Sequence, residues 1–97
     1  MEGKAKDIAE MLKLLANEHR LQILYALRHG PMTVGKIAEH TPHITQSALS
    51  QYLTLLKTAG ILKSDKLAQH VTYSIADIRV TAVLDVLKRS YCEEPGV

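Results

Sequence analysis

The sequence predicts an α+β fold that is mostly α, with four helices, a β-hairpin and a C-terminal helix in that order. Three observations predict it. Apolar residues recur at helical spacing in blocks between residues 5 and 59, each block bounded by a capping residue or a breaker. After Gly60 the pattern changes to alternation. Beyond residue 76 helical spacing returns.

Residues 5–16 carry Ile8, Met11, Leu12 and Leu15, one stripe of an amphipathic helix. Asn17 is a good N-cap for a second helix, with Glu18 in its first turn and Leu21, Ile23, Leu24, Ala26 and Leu27 inward. Gly30 and Pro31 end it, since glycine accepts a left-handed cap and proline cannot continue a helix. Thr33 caps a short third helix with Val34, Ile37 and Ala38 inward. Pro42 then pushes Thr41 out of helical geometry. Thr45 caps a fourth helix that runs to about Ala59, and Gly60 stops it. Residues 61–66 read as a strand. Residues 69–75 read as a second, with Val71, Tyr73 and Ile75 on one face and His70, Thr72 and Ser74 on the other. The turn near Leu67 and Ala68 has no strong hairpin dipeptide, so its type stays open. Asp77 opens a last helix to about Cys92, and residues 93–97 read as a frayed tail.

A chain of 97 residues is expected to form one domain, residues 1–97, with a modest core and little room for a cleft. With 46% hydrophobic and 23% charged residues it reads as globular rather than disordered. No apolar run reaches membrane-spanning length, and the first residues lack a signal-like apolar stretch, so a cytoplasmic protein with no membrane partner is expected. The single cysteine, Cys92, allows no internal disulfide. The formal net charge is +2, and all of it falls in the middle. There Lys36, Lys57, Lys63 and Lys66 face only Glu39 and Asp65, while the flanks balance. A basic centre between neutral flanks suits a polyanion, although an excess this small also arises by chance. No glycine-rich phosphate loop, paired carboxylates or nucleophile beside a base points to an enzyme.

The third and fourth helices with their short turn form a helix-turn-helix, and the hairpin after them makes it winged. In TQSALSQYLTLLKTAG the apolar set is Ala48, Leu49, Tyr52, Leu53, Leu55, Leu56 and Ala59. The other face holds Ser47, Ser50, Gln51, Thr54 and Thr58, with Gln46 at its edge and Lys57 nearby. Solvated helix faces normally carry Lys and Glu, and Ser and Thr are poorer helix formers. Major-groove reading gives such residues a purpose: short hydroxyls allow close approach, and glutamine pairs N6 and N7 of adenine. Gln46, Ser47, Ser50 and Gln51 are therefore the candidate base-reading residues, the alternative being a plain polar surface. Thr45, Thr54, Lys36, Lys57, Lys63, Lys66 and His70 are the candidate backbone contacts, which position without reading sequence. The predicted partner is double-stranded DNA with a pseudo-palindromic site. A winged helix that binds proteins rather than DNA is the alternative.

The segments LLANEHRLQILYALRHGPMTVGKIAEH, SALSQYLTLLKTAGILKS and QHVTYSI resemble the ArsR/SmtB winged-helix repressors, from about Met11 to Cys92. The resemblance implies a homodimer, DNA binding through the fourth helix and the wing, and control by a metal or thiol-reactive effector. Metal-sensing members carry cysteines where this chain has Thr33 and Gly35, which cannot replace thiolates. Others use the last helix, where Asp77 is present but Arg79 and Ser90 stand at ligand positions and Glu93 is a possible remnant. No metal site and no cofactor are expected. LQILYAL and LKRSYC are most similar to the HlyU/BigR/SqrR-like thiol-sensing branch; one of its two cysteines matches Cys92, and the other position holds Tyr25.

The last helix has Ile78, Val80, Ala82, Val83, Leu84, Val86 and Leu87, more than one stripe. One filled core could absorb them all, or a two-fold partner could cover the remainder. The candidate dimer residues are Ile8, Leu12, Val80, Val83, Leu84, Leu87 and Tyr91. Cys92 could pair with its symmetry mate, react with an oxidant, or be an inert small hydrophobe, with Lys88 and Arg89 favouring its thiolate. The histidines show no tight ligand spacing and read as surface or capping residues.

Overall fold

The computed structural model describes residues 1–92, and the residues expected to form the tail, with Glu93, lie outside them. The elements are α1 (Glu2–Leu15), α2 (Glu18–Leu27), β1 (Met32–Thr33), α3 (Val34–His40), α4 (Gln46–Thr58), β2 (Leu62–Leu67), β3 (His70–Ile75) and α5 (Ile78–Tyr91).

Four side chains cap the helices that follow them. Asn17 Oδ1 accepts from the Arg20 N–H at 3.0 Å, Thr33 Oγ1 from Lys36 at 3.2 Å, Thr45 Oγ1 from Ala48 at 3.1 Å, and Asp77 Oδ1 from Arg79 at 3.0 Å. Each satisfies an amide that the helix start leaves without a partner. At the other end of α4, Gly60 has φ 81°. Its N–H bonds to the Lys57 carbonyl and that of Ile61 to the Leu56 carbonyl, both at 3.0 Å. This paired closure sends the chain into β2, and the left-handed residue at its centre is suited to glycine. Between α3 and α4, Thr41 is buried and its hydroxyl donates to the Ile37 carbonyl at 2.9 Å, so the one buried polar side chain among the described residues is satisfied.

Ile23, Leu24 and Leu27 of α2 form the centre of the core with Ile37, Leu49, Leu53, Leu56, Leu62, Val80 and Leu84. Side chains from α2, α3, α4, β2 and α5 thus meet in one cluster, which fixes how α4 is presented.

Several expectations are corrected. α1 starts at Glu2, three residues earlier than predicted, with the acidic residue in its first turn favoured by the helix dipole. A third strand, β1, was not expected. It pairs antiparallel with β3 (Met32 with Tyr73, Thr33 with Thr72), giving the order β1-β3-β2. β2 begins and ends one residue later than read, and Leu67 pairs with His70. The hairpin loop is therefore Ala68 and Gln69, and Ala68 has φ 57°. Ala38, Leu55 and Ala59, read as inward, are exposed. Val80 and Leu84, read as dimer contacts, are both 0% exposed within the chain's own core and so cannot meet a partner.

Candidate nucleic-acid interface

Thr45 directs the start of α4 and the core residues Leu49, Leu53 and Leu56 fix its rotation. With those three inward, Ser47, Ser50, Gln51, Thr54 and Thr58 all lie exposed, as does Gln46 at the N-terminal edge. Ser50, Gln51, Thr54, Leu55 and Thr58 line a shallow concavity of about 500 Å³. The face is thus continuous, uncharged and open. The Thr45 hydroxyl serves the cap as an acceptor and keeps its proton for a second partner. The inner side of α4 is held by a contact that sequence reading missed. Tyr52 Oη lies 3.4 Å from His19 Nδ1, with the rings edge-to-face at 5.8 Å between centroids. Nothing in their spacing signals it, because His19 belongs to the start of α2.

The basic residues are more dispersed. Lys57 at the end of α4 is exposed. Lys36 forms an exposed 3.5 Å pair with Glu39 one turn on, a contact of little energetic weight that leaves the ammonium open to exchange partners. On the wing, Lys63, Lys66 and His70 are all exposed. The pleat and register separate them: Lys63 and His70 share one face of the hairpin, whereas Lys66 lies on the other with Ser64 and Val71. A groove on one side of the wing therefore cannot meet all three through the strand face, although the tip brings Lys66 and His70 close along the chain.

The positions where the resemblance implied a metal do not suit one. Thr33 spends its hydroxyl oxygen on the α3 cap, and Gly35 offers no side-chain donor. Asp77 caps α5 and accepts from the guanidinium of Arg79 at 2.9 and 2.8 Å, and these bonds hold its carboxyl below the ordinary value of 3.8. Among the described residues no three His, Cys, Asp or Glu side chains come together as a metal cluster.

Around the thiol, Cys92 is free and exposed at the end of α5. Tyr25 donates its hydroxyl to the Leu84 carbonyl at 3.1 Å. Burial pushes its pKa above 10.0, with a smaller push from the neighbouring Cys92. One turn on, Arg28 pairs with Asp85, so two polar contacts fasten α2 to α5. Of the remaining predicted dimer residues, Ile8, Leu12 and Tyr91 are exposed and Val83 and Leu87 half-buried. Val86 and Ile78 are exposed too and had not been singled out for that role.

The model of the arsR family of bacterial regulatory proteins matches residues 17–64, the stretch from the α2 cap through the helix-turn-helix into β2. The transcriptional activator HlyU of Vibrio cholerae is 38% identical over 93 residues, covering 96% of this chain and 85% of that protein. The chain belongs to the ArsR family. It is a DNA-binding transcriptional regulator with the winged-helix fold of that family. Solved ArsR-family structures superpose closely. Reduced HlyU from Vibrio cholerae gives a TM-score of 0.86 over 96% of this chain and 97% of that one, at 38% identity. The transcriptional repressor BigR from Xylella fastidiosa gives 0.88 over 97% and 95%, at 26% identity. No helix among the described residues is long and apolar enough to cross a membrane.

Proposed function

We propose that the chain acts in the cytoplasm as a homodimeric repressor that reads a pseudo-palindromic operator, without catalysis or a bound cofactor. Gln46, Ser47, Ser50 and Gln51 of α4 meet base edges in the major groove. Thr45, Thr54, Lys57 and, at the wing tip, Lys66 and His70 hold phosphates, with Lys36 and Lys63 at the margin. The observation that carries this reading is the outward, uncharged hydroxyl-and-amide face of α4, which no other element of the chain covers. Water alone does not favour such a surface on a helix, whereas a duplex groove does.

The dimer is supported by apolar surface that one subunit leaves uncovered. On α1, Ile8 and Leu12 lie four residues apart and exposed. On α5, Val83, Leu87 and Tyr91 form a stripe beside Val86. The radius of gyration is 14.2 Å, above the roughly 13 Å of a compact chain this long, and one dimension is only 23 Å. A flat subunit with a bare apolar edge suits a two-fold partner, which would set two α4 helices about 34–36 Å apart, one turn of DNA. Repression, rather than activation, is inferred by analogy with BigR of Xylella fastidiosa, a transcriptional repressor.

Selection of bound duplexes from a random library tests this reading. The expected product is a two-fold symmetric site whose affinity falls steeply with salt. Gln51→Ala and Ser47→Ala should each weaken that site more than unrelated DNA. Equal losses on every sequence would place base reading elsewhere.

A further inference from the structure

Leu55 stands at the edge of the polar face, where the core of α4 ends. It is 42% exposed and lies one helical turn beyond Gln51 and one turn before Thr58, lining the same 500 Å³ concavity as both. Its neighbours Leu53 and Leu56 fill the core, whereas Leu55 leaves about two-fifths of its surface open. The other side chains lining that concavity are Ser50, Gln51, Thr54 and Thr58, while Tyr52 and Ala59 lie one turn away on its inner flank. The open part of its side chain is apolar surface that a partner with a small apolar projection would cover. The major groove presents one apolar group that marks a base, the 5-methyl of thymine, and it stands beside the hydrogen-bonding edges that glutamine and serine read.

We propose that Leu55 is a specificity-determining residue that receives the 5-methyl group of one thymine in each half-site. The proposal rests on the reading that α4 enters the major groove. Four residues along the helix correspond to about 6 Å, so the thymine lies within about two base pairs of the base that Gln51 meets. Thr54 and Thr58 border the same hollow. The preferred ligands are thereby duplexes with thymine at that place, and the absent methyl disfavours cytosine there.

The test uses the full chain and the operator obtained by selection, with its thymines replaced one at a time by deoxyuridine, which lacks only the methyl group. For the unaltered protein, one thymine per half-site should show about a fourfold loss of affinity, the worth of one buried methyl. Leu55→Ala should bind thymine and deoxyuridine duplexes equally, while Leu55→Met, which keeps an apolar reach, should retain part of the discrimination. Unchanged far-ultraviolet circular dichroism controls for folding. If Leu55→Ala keeps the full discrimination, or no deoxyuridine replacement costs affinity, the assignment is overturned. Should that happen while Gln51→Ala still alters the preferred sequence, α4 remains the reading helix and only the role of Leu55 falls. Should Gln51→Ala and Ser47→Ala leave the preferred sequence intact as well, both readings fall together.

Discussion

Asp77 shows how one residue can close off a chemistry that its position offers. Its carboxylate accepts from the guanidinium and the backbone N–H of Arg79 at the start of α5, and those bonds hold its pKa below the ordinary value. A group whose folded pKa is lowered stabilises the fold above its unfolded pKa, and that contribution is lost as pH falls through the folded value. Asp77→Ala should therefore cost about 1 kcal/mol at neutral pH, the worth of an N-cap. Asp77→Asn should cost less, since asparagine caps nearly as well. The difference between the parent and Asp77→Asn in urea denaturation should shrink as pH drops below 3.8. A gap that stayed constant in acid would mean the carboxylate's charge is not what Arg79 stabilises. The cap itself was legible, because an aspartate just ahead of an apolar helical run has a short-range purpose that neighbouring residues reveal. Its partner in the side-chain pair, Arg79, was read only as a residue standing at a metal-ligand position.

Element boundaries divide in the same way between local and distant causes. Asn17, Thr33 and Thr45 announced three helix starts, and Gly60 announced the change of period, since caps and left-handed turns are decided within a few residues. β1 was illegible. It spans only Met32 and Thr33, too few for alternation to register, and exists because β3 lies beside it. Leu55 was misread because a stripe at 3.6-residue spacing gives a direction but not an edge, and Leu55 sits where the core ends. The apolar residues of α5 were divided only by tertiary packing, which sent Val80 and Leu84 inward. The hairpin carries a local cost. Ala68 holds φ 57° in a two-residue loop, where left-handed geometry disfavours any residue with a Cβ. Ala68→Gly should raise stability by about 0.5–1 kcal/mol, after the extra flexibility glycine brings to the unfolded chain is subtracted. Urea denaturation at fixed protein concentration would measure it, and a loss of stability would show that the tip does not keep this turn.

For the whole molecule, the proposed dimer sets the strength of operator binding. In the proposed complex a single α4 with its wing meets one half-site, and linking two such units would multiply affinity by about a hundredfold or more. Placing a charge on the bare apolar edge, by Leu12→Asp or Val86→Asp, should halve the mass in sedimentation and lower operator affinity by at least that factor. Both positions are exposed in the subunit, so its own fold should survive. Undiminished mass in both variants would move the two-fold contact elsewhere. At this scale the small strand β1 has a mechanical consequence. Thr33 pairs with Thr72 of the hairpin through its backbone, while its hydroxyl oxygen caps α3. One residue therefore ties the wing to the helix-turn-helix, so that in the proposed complex the two would shift together, and a duplex whose groove is too wide or too narrow would itself have to deform or be released.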